Sequence, residues 1–164
     1  MKKVTILLTE YSDALSRFIY YISGRGYTHI SLGLEEDEDR FYSFNYKGFC
    51  IETIEKHRRR GVHRSVCYEI AVEDKIYEVI KSNIQAFEQN RDIYHYTKLG
   101  VFFAVLHLPF KRKNHYFCSR FVAEQLLLSG AMKLKKSASL YLPNQLTSEL
   151  ERFSGVMQVI PNVI

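Results

Sequence analysis

The sequence predicts an α+β fold in which an antiparallel β-sheet packs with helices. Short runs rich in β-branched and aromatic residues are typical of strands, and longer stretches with apolar residues every three or four positions are typical of amphipathic helices. The order of these segments, a helix, then strands, then two further helices, favours antiparallel pairing. No repeat, linker or break in composition divides the 164 residues, so we expect one domain over residues 1–164.

The chain opens with a strand and a helix. The run "VTILL" at residues 4–8 predicts the strand, and helical spacing of apolar residues over 15–22 predicts the helix that follows. Ser12 is the expected N-cap, and Gly24 is the expected stop.

A β-hairpin and a further strand come next. The strand-like runs "YTHISLGL" and "FYSFNYKGF" flank an acidic connection over residues 35–40, which predicts a hairpin with a solvated loop. The run "SVCYEIAV" over residues 65–72 predicts another strand of the same sheet.

The second half of the chain is predicted to be mainly helical. Residues 73–90 form the clearest amphipathic helix, with apolar residues from Ile76 to Phe87 on one face. Residues 91–115 stay open, because "VFFAVL" suits both a buried strand and a helix. A helix follows from near Cys118 to Gly130, then a Pro-initiated helix at "LPNQLTSELERF" and a final edge strand at "VMQVI".

The composition limits the classes of partner. With 46% hydrophobic and 25% charged residues, the chain has an ordinary globular profile, and its net charge of +5 favours anionic partners without indicating nucleic acid, which we do not expect. The basic segments "KHRRRGVHR" and "KRK" suit an anionic substrate, although solvated loop charge is the plainer interpretation. The longest apolar run, Leu99–Phe110, falls short of the roughly 20 residues of a transmembrane helix. The N-terminal apolar run is too short for a signal peptide, so we expect a cytoplasmic protein.

The three cysteines do not predict a disulfide or a metal site. Cys50, Cys67 and Cys118 form no close pair. Cys50 and Cys67 with His57 and His63 have the residue types of a zinc site but lack the tight cysteine spacing of such sites. We therefore expect no metal and no other cofactor.

Cys118 lies where an irregular polar segment becomes a helix, in "KNHYFCSRFVAEQLLLSG". A helix N-terminus has unpaired N–H groups and the positive end of the helix dipole, both of which favour a thiolate over a thiol. Arg120 and the upstream "KRKNH" segment add positive charge. The plainer alternative is a small buried apolar residue at a helix start.

His29 is the candidate base for this thiol. In "YTHISLGL", strand alternation places His29, Ser31 and Gly33 on one face and apolar residues on the other. A small polar face around one imidazole leaves room for a helix N-terminus and its thiol, although a lone strand histidine is more often structural.

A third group that orients the imidazole is sought in the hairpin. If Ser31 pairs with Ser43, then His29 pairs with Asn45 on the same face, which makes Asn45 and Ser43 the candidates. A register slip of one residue would turn both away.

These residues together resemble a known family. "YTHISLGL" followed by "FYSFNYKGF", and later "YFCSRFVAEQL" followed by "LYLPNQL", resemble the circularly permuted branch of the NlpC-type papain-like cysteine peptidase superfamily, which includes YiiX-like bacterial proteins and the lecithin:retinol acyltransferase group. In this branch the histidine precedes the cysteine, as here. The resemblance implies a permuted papain-like fold with Cys118 as nucleophile and His29 as general base.

The third catalytic residue departs from the family pattern. YiiX-like members often have a glutamate on the strand after the histidine, whereas this chain has Ser43 near that place. Asn45, Ser43 and the more distant Glu52 therefore remain alternatives.

The expected function is a thiol hydrolase, a peptidase or amidase, that acts through a Cys118 thioester with His29 as general base. A lipid or other acyltransferase with the same Cys/His pair is one alternative. A non-catalytic binding module on the same fold is the other. The expected substrate is a small acyl, peptide or lipid-like molecule, and the sequence does not indicate an oligomeric state.

Overall fold

The computed structural model describes all 164 residues as a mixed α+β fold. The strands are β1 Lys2–Thr9, β2 His29–Leu34, β3 Phe41–Asn45, β4 Gly48–Glu52, β5 Ser65–Val72, β6 His95–Tyr96, β7 His115–Tyr116 and β8 Val156–Pro161. The helices are α1 Ala14–Ile22, α2 Ile54–Arg59, α3 Asp74–Gln89, α4 Lys98–Val105, α5 Cys118–Leu128 and α6 Pro143–Leu150, with 3₁₀ turns at Arg91–Ile93 and Ala138–Leu140.

Six strands form one antiparallel sheet in the order β4-β3-β2-β1-β5-β8. This arrangement confirms the predicted α+β class with an antiparallel sheet packed against helices. The final run "VMQVI" lies in β8 at one edge of the sheet, as expected. The short strands β6 and β7 form a separate parallel pair immediately before α5.

The sheet is covered on both faces. One face forms the main core with α3, α5 and α6, in which Tyr77, Phe121 and Leu146 are almost completely buried. The other face, around Leu7, Phe41 and Cys67, is covered by the start of α2 and the C-terminal residues. All six residues of β2 are therefore buried, and its polar alternate face lies inside the protein rather than in solvent.

The hairpin between β2 and β3 has the expected register but a short ladder. Leu32 pairs with Tyr42 and Gly33 with Phe41, and the paired region ends there. Beyond it, the Ser43 hydroxyl donates a 2.7 Å hydrogen bond to the Ile30 carbonyl. Thus β2 and β3 separate at the end where β2 begins, next to the first residue of that strand.

Two local expectations were wrong. The N-cap of α1 is Asp13, whose carboxylate accepts a hydrogen bond from the Ser16 N–H, rather than Ser12. The basic segment after β4 forms the short helix α2, capped by Thr53, instead of a loop.

The segment "VFFAVL", which suits both a strand and a helix by its sequence, lies almost entirely in α4. None of the helices has the length and apolar character required to cross a bilayer.

Candidate active site

Cys118 is the first residue of α5 and lines a cavity of about 620 Å³. The preceding Phe117 occupies the N-cap position and offers no side-chain acceptor to the first turn. The first N–H groups of α5 therefore lack the usual capping partner and remain available to an anionic group beside the sulfur. The remainder of α5 is buried to Leu126, which fixes the position of Cys118 against β2 and β3.

His29 and Glu52 form the central ion pair of this cavity. The Nε2–H of His29 donates to Oε2 of Glu52 at 2.7 Å, and both side chains are buried. His29 begins β2 where that strand separates from β3, and Glu52 ends β4 two strands away. Since Nε2 faces the carboxylate, Nδ1 is the ring nitrogen left for another partner.

Cys118 also lines the cavity. Burial on its own lowers the pKa of His29, but the Glu52 carboxylate and the proximity of Cys118 outweigh it and raise the pKa to about 10. His29 is therefore an imidazolium at neutral pH.

Glu52 is an ionised carboxylate surrounded by cationic and polar groups. Its burial on its own raises the pKa, but the positive charge and hydrogen bond of His29, with smaller contributions from His57 and Arg60, lower it to about 2. Arg60 donates from Nη1 to Oε1 of Glu52 at 3.2 Å. Each carboxylate oxygen thus has its own cationic partner, which holds the carboxylate in one orientation toward His29.

A second histidine lies behind the ion pair. His57, on α2, is fully buried, and its Nδ1 accepts a 2.6 Å hydrogen bond from the Tyr11 hydroxyl. Its Nε2 has no hydrogen-bond partner and lies 3.7 Å from Oε2 of Glu52. Burial, followed by the charges of His29 and Arg60, lowers the pKa of His57 to about 4 against the opposing effect of Glu52.

The protonation states of this second pair follow from its environment. Burial and the charge of Glu52 raise the pKa of Tyr11, so its hydroxyl keeps its proton and donates it to His57. Neutral His57 then carries its own proton on Nε2, which lies 3.7 Å from Oε2 of Glu52 and forms no hydrogen bond. Of Tyr11, His57 and Arg60, which surround this end of the cavity, only Arg60 bonds Glu52 directly.

Tyr96 also lines the cavity that contains Cys118. Burial and the proximity of Cys118 raise the pKa of Tyr96, so the hydroxyl stays protonated and can donate a hydrogen bond.

Asn45 and Ser43, the sequence candidates for orienting His29, make other contacts. The Ser43 hydroxyl bonds the Ile30 carbonyl, and the Asn45 side chain accepts a 2.8 Å hydrogen bond from the Lys47 N–H in the β3–β4 turn. Asn45 lines the cavity, but neither residue bonds the imidazole. The structure brings Glu52 to His29 instead.

The remaining cysteines differ from Cys118 in their surroundings. Cys50 and Cys67 are buried and unpaired, and burial raises the pKa of both thiols, that of Cys67 to about 11. Cys50, Cys67, His57 and His63 do not gather into a metal-binding group, and His63 lies exposed with its ring against the Gly61 carbonyl.

A second cavity of about 630 Å³ adjoins the first, and the two share Asn45 and Arg60. Its charged lining is mostly basic. Four cations line it, Lys47, Lys56, Arg60 and Arg91, with one carboxylate, Asp92. Lys56 and Arg91 donate only to backbone carbonyls. Part of the basic segment after β4 therefore lines a cavity next to the candidate site.

No protein-family model matches this sequence, and no curated protein matches it either. The function of the site is therefore argued from its own geometry.

Proposed function

We propose that this protein is a thiol hydrolase, a peptidase or amidase, of the circularly permuted NlpC-type papain-like kind. One observation carries the proposal: Cys118, the first residue of a buried helix, lines the same cavity as His29, whose Nε2 bonds the buried carboxylate of Glu52. A nucleophile, a base and an orienting group in this order are the parts of a cysteine hydrolase site.

The reaction begins with the Cys118 thiolate and the His29 imidazolium. The sulfur attacks the acyl carbon and forms a C–S bond, while the carbonyl electrons move to oxygen, stabilised by the Cys118 N–H and the Tyr96 hydroxyl. When the intermediate collapses, the amine leaves with the proton from His29 and a thioester remains. Neutral His29 then takes a proton from a water molecule while the water oxygen attacks the thioester carbon. The second tetrahedral intermediate collapses, which releases the acid and restores the Cys118 thiolate.

The orienting role falls to Glu52 in this proposal. Its bond to Nε2 fixes the ring and leaves Nδ1 available to exchange a proton with Cys118, and its negative charge stabilises the imidazolium that carries the proton. The bond from Arg60 to Oε1 restricts the carboxylate to this orientation.

The substrate we propose is a small acyl or peptide-like molecule with an anionic group. The second cavity, which shares Arg60 and Asn45 with the cavity that contains Cys118, is lined by cations and suits a carboxylate or phosphate. In a bound substrate this anionic group would lie next to the bond that is cleaved. Because all three thiols are free, we place the protein in the reducing cytoplasm.

Alkylation by iodoacetamide as a function of pH tests the proposal. The chain provides its own controls, because Cys118, Cys50 and Cys67 are equally buried, at 6%, 6% and 5% exposure. We expect Cys118 to react fastest and still to react near pH 6, and we expect His29→Ala to shift its pH profile. If Cys118 in the folded protein is no more reactive than the other two thiols, the proposal is wrong.

A second measurement separates hydrolysis from transfer. The thioester formed with an activated ester should be resolved by water and yield the free acid. An acyltransferase would instead require an added alcohol or amine acceptor for turnover. A non-catalytic binding module would form no thioester at all.

A further inference from the structure

Two neighbouring helices present large apolar side chains to solvent. On α4 and the turn after it, Leu99, Phe102, Leu106 and Leu108 are each between 49% and 57% exposed. The first three are spaced three and four residues apart, so they lie on one face. Isolated exposed apolar residues are ordinary, but a continuous row along a helix is typical of an interaction surface.

Helix α1 adds to the same surface. Phe18, Tyr21 and Ile22 are 48%, 63% and 40% exposed. Buried Ile19 of α1 belongs to the same apolar cluster as Val101 and Ala104 of α4, so the buried sides of the two helices share one small core. We call the exposed apolar residues of the two helices together the α1/α4 surface.

The two chain segments that carry the α1/α4 surface have charges of a single sign. Residues 14–25 and 98–113 contain no Asp or Glu. They contain six exposed cations: Arg17, Arg25, Lys98, Lys111, Arg112 and Lys113. None of the six forms an ion pair. Since the whole chain has a net charge of +5, these six account for all of its excess positive charge.

We propose that the α1/α4 surface docks on an anionic lipid bilayer. The apolar side chains enter the boundary between headgroups and acyl chains, and the surrounding cations contact lipid phosphates. Because no helix of the structure is long and apolar enough to cross a bilayer, the contact is with one leaflet.

The observations favour a bilayer over a second copy of this chain. A symmetric dimer through the α1/α4 surface would bring two sets of six unpaired cations together, which is unfavourable. A peptide or helical partner is usually held in a groove, yet neither large cavity includes the exposed apolar residues of this surface.

The position of the surface relates it to the candidate active site. Leu15 and Ser16 of α1 and Lys98 of α4 line the cavity that contains Cys118. Docking would therefore bring the cavity close to the bilayer surface. That an acyl substrate is taken from the lipid phase rests on the proposed function, whereas docking itself does not.

Vesicle co-sedimentation of the full chain tests the docking. We expect binding to vesicles of phosphatidylcholine and phosphatidylglycerol in equal parts, and binding about tenfold weaker to phosphatidylcholine alone or at 1 M salt. The double variant Leu99→Ser/Phe102→Ser should lose at least about tenfold in binding. Its matched control is Leu128→Ser/Met157→Ser, which removes apolar residues 69% and 57% exposed elsewhere.

A charge-reversal pair provides the second arm. Lys111→Glu/Arg112→Glu should abolish the preference for phosphatidylglycerol, whereas Lys133→Glu/Lys135→Glu, at exposed sites outside the α1/α4 surface, should leave it unchanged. All four variants alter exposed side chains, so folding, checked by circular dichroism, is expected to be retained.

Three results would overturn the docking proposal: no binding to either vesicle, equal loss in the control variants, or a dimer in solution that Leu99→Ser/Phe102→Ser dissociates. Cys118→Ala should bind vesicles as the wild type does. Failure of docking is therefore distinguishable from failure of the hydrolase proposal, which the alkylation experiment decides.

Discussion

Replacing Glu52 with glutamine removes one charge from the candidate site and keeps the shape of the side chain. The Oε2 atom that accepts from His29 at 2.7 Å becomes part of a neutral amide. Removing an opposite charge at such a distance typically changes a pKa by about 1 to 3. The pKa of His29, about 10 in the intact site, should therefore fall by that amount toward its ordinary value of 6.5.

The effect on Cys118 follows from the shared proton. A thiol with a neutral imidazole and a thiolate with an imidazolium are in equilibrium, and each decrease of one in the pKa of His29 reduces the ion-pair form about tenfold, or about 1.4 kcal/mol. Glu52→Gln should thus slow alkylation of Cys118 by about tenfold or more near pH 8 to 9, where His29 of the variant has lost its proton and His29 of the intact site keeps it. It should not slow alkylation of unfolded protein.

The assay measures two quantities on the same variant: the alkylation rate of Cys118 from pH 5 to 9, and the NMR titration of the His29 ring. Glu69→Gln is the matched control, because it neutralises a carboxylate on the same sheet that pairs with Lys3 at 2.9 Å, away from both cavities. A folded Glu52→Gln protein with an unchanged His29 titration would refute the electrostatic role of Glu52.

Two further predictions concern the second histidine and the tyrosine beside the thiol. Since the pKa of His57 is about 4 in the folded protein and 6.5 when exposed, the unfolded chain binds a proton first as pH falls, so stability is lost between pH 6.5 and 4. Urea unfolding at pH 7 and 5 should show that His57→Gln, which keeps an acceptor for Tyr11, removes about 1 to 2 kcal/mol of this pH dependence, and an unchanged dependence would contradict the neutral state of His57. Tyr96→Phe should slow hydrolysis of an activated ester about 10²-fold but leave alkylation of Cys118 unchanged, because alkylation forms no oxyanion. Equal effects on both reactions would show that Tyr96 acts on the thiol itself.

The sequence was sufficient to predict the fold class, and it places Cys118 and His29 as a candidate pair, which stays a prediction. The spacing of apolar residues along the sequence distinguishes strands such as Ser65–Val72 from helices such as α3. The buried face repeats every two residues in a strand and about every 3.6 residues in a helix. The helix-start position of Cys118 and the polar face around His29 are local patterns of the same kind.

The contact between His29 and Glu52 was beyond such patterns. The run "FYSFNYKGF" predicts one strand, but the structure divides it at a turn, where Gly48 has φ 106°. The chain therefore continues into β4, and Glu52 at its end lies on a strand that the sequence pattern does not predict. Strand alternation placed Asn45 opposite His29, but the β2–β3 ladder ends after two pairs, and the hydrogen bond of Ser43 to the β2 backbone lies beyond it. The separation of two strands depends on packing across the whole sheet.

His57 was missed for a different reason. Its neighbours Arg58 and Arg59 are exposed, and a segment with so many cations resembles a solvated loop by composition. Thr53 as N-cap and Glu55 in the first turn were the local signals of a helix, and one face of a short helix is enough to bury a single residue.

The burial of this polar set favours an enzyme over a non-catalytic binding module. Enclosing a carboxylate with two histidines removes charged groups from water, and well-packed apolar residues of similar volume usually give equal or greater stability. The unpartnered Nε2 of His57 adds a further cost, since a buried donor without an acceptor destabilises the fold. A protein that only binds a ligand has no need to bury charged groups beside its cavity at the expense of stability. A site that must hold a proton on His29 and keep its ring directed at Cys118 requires a fixed, ionised Glu52.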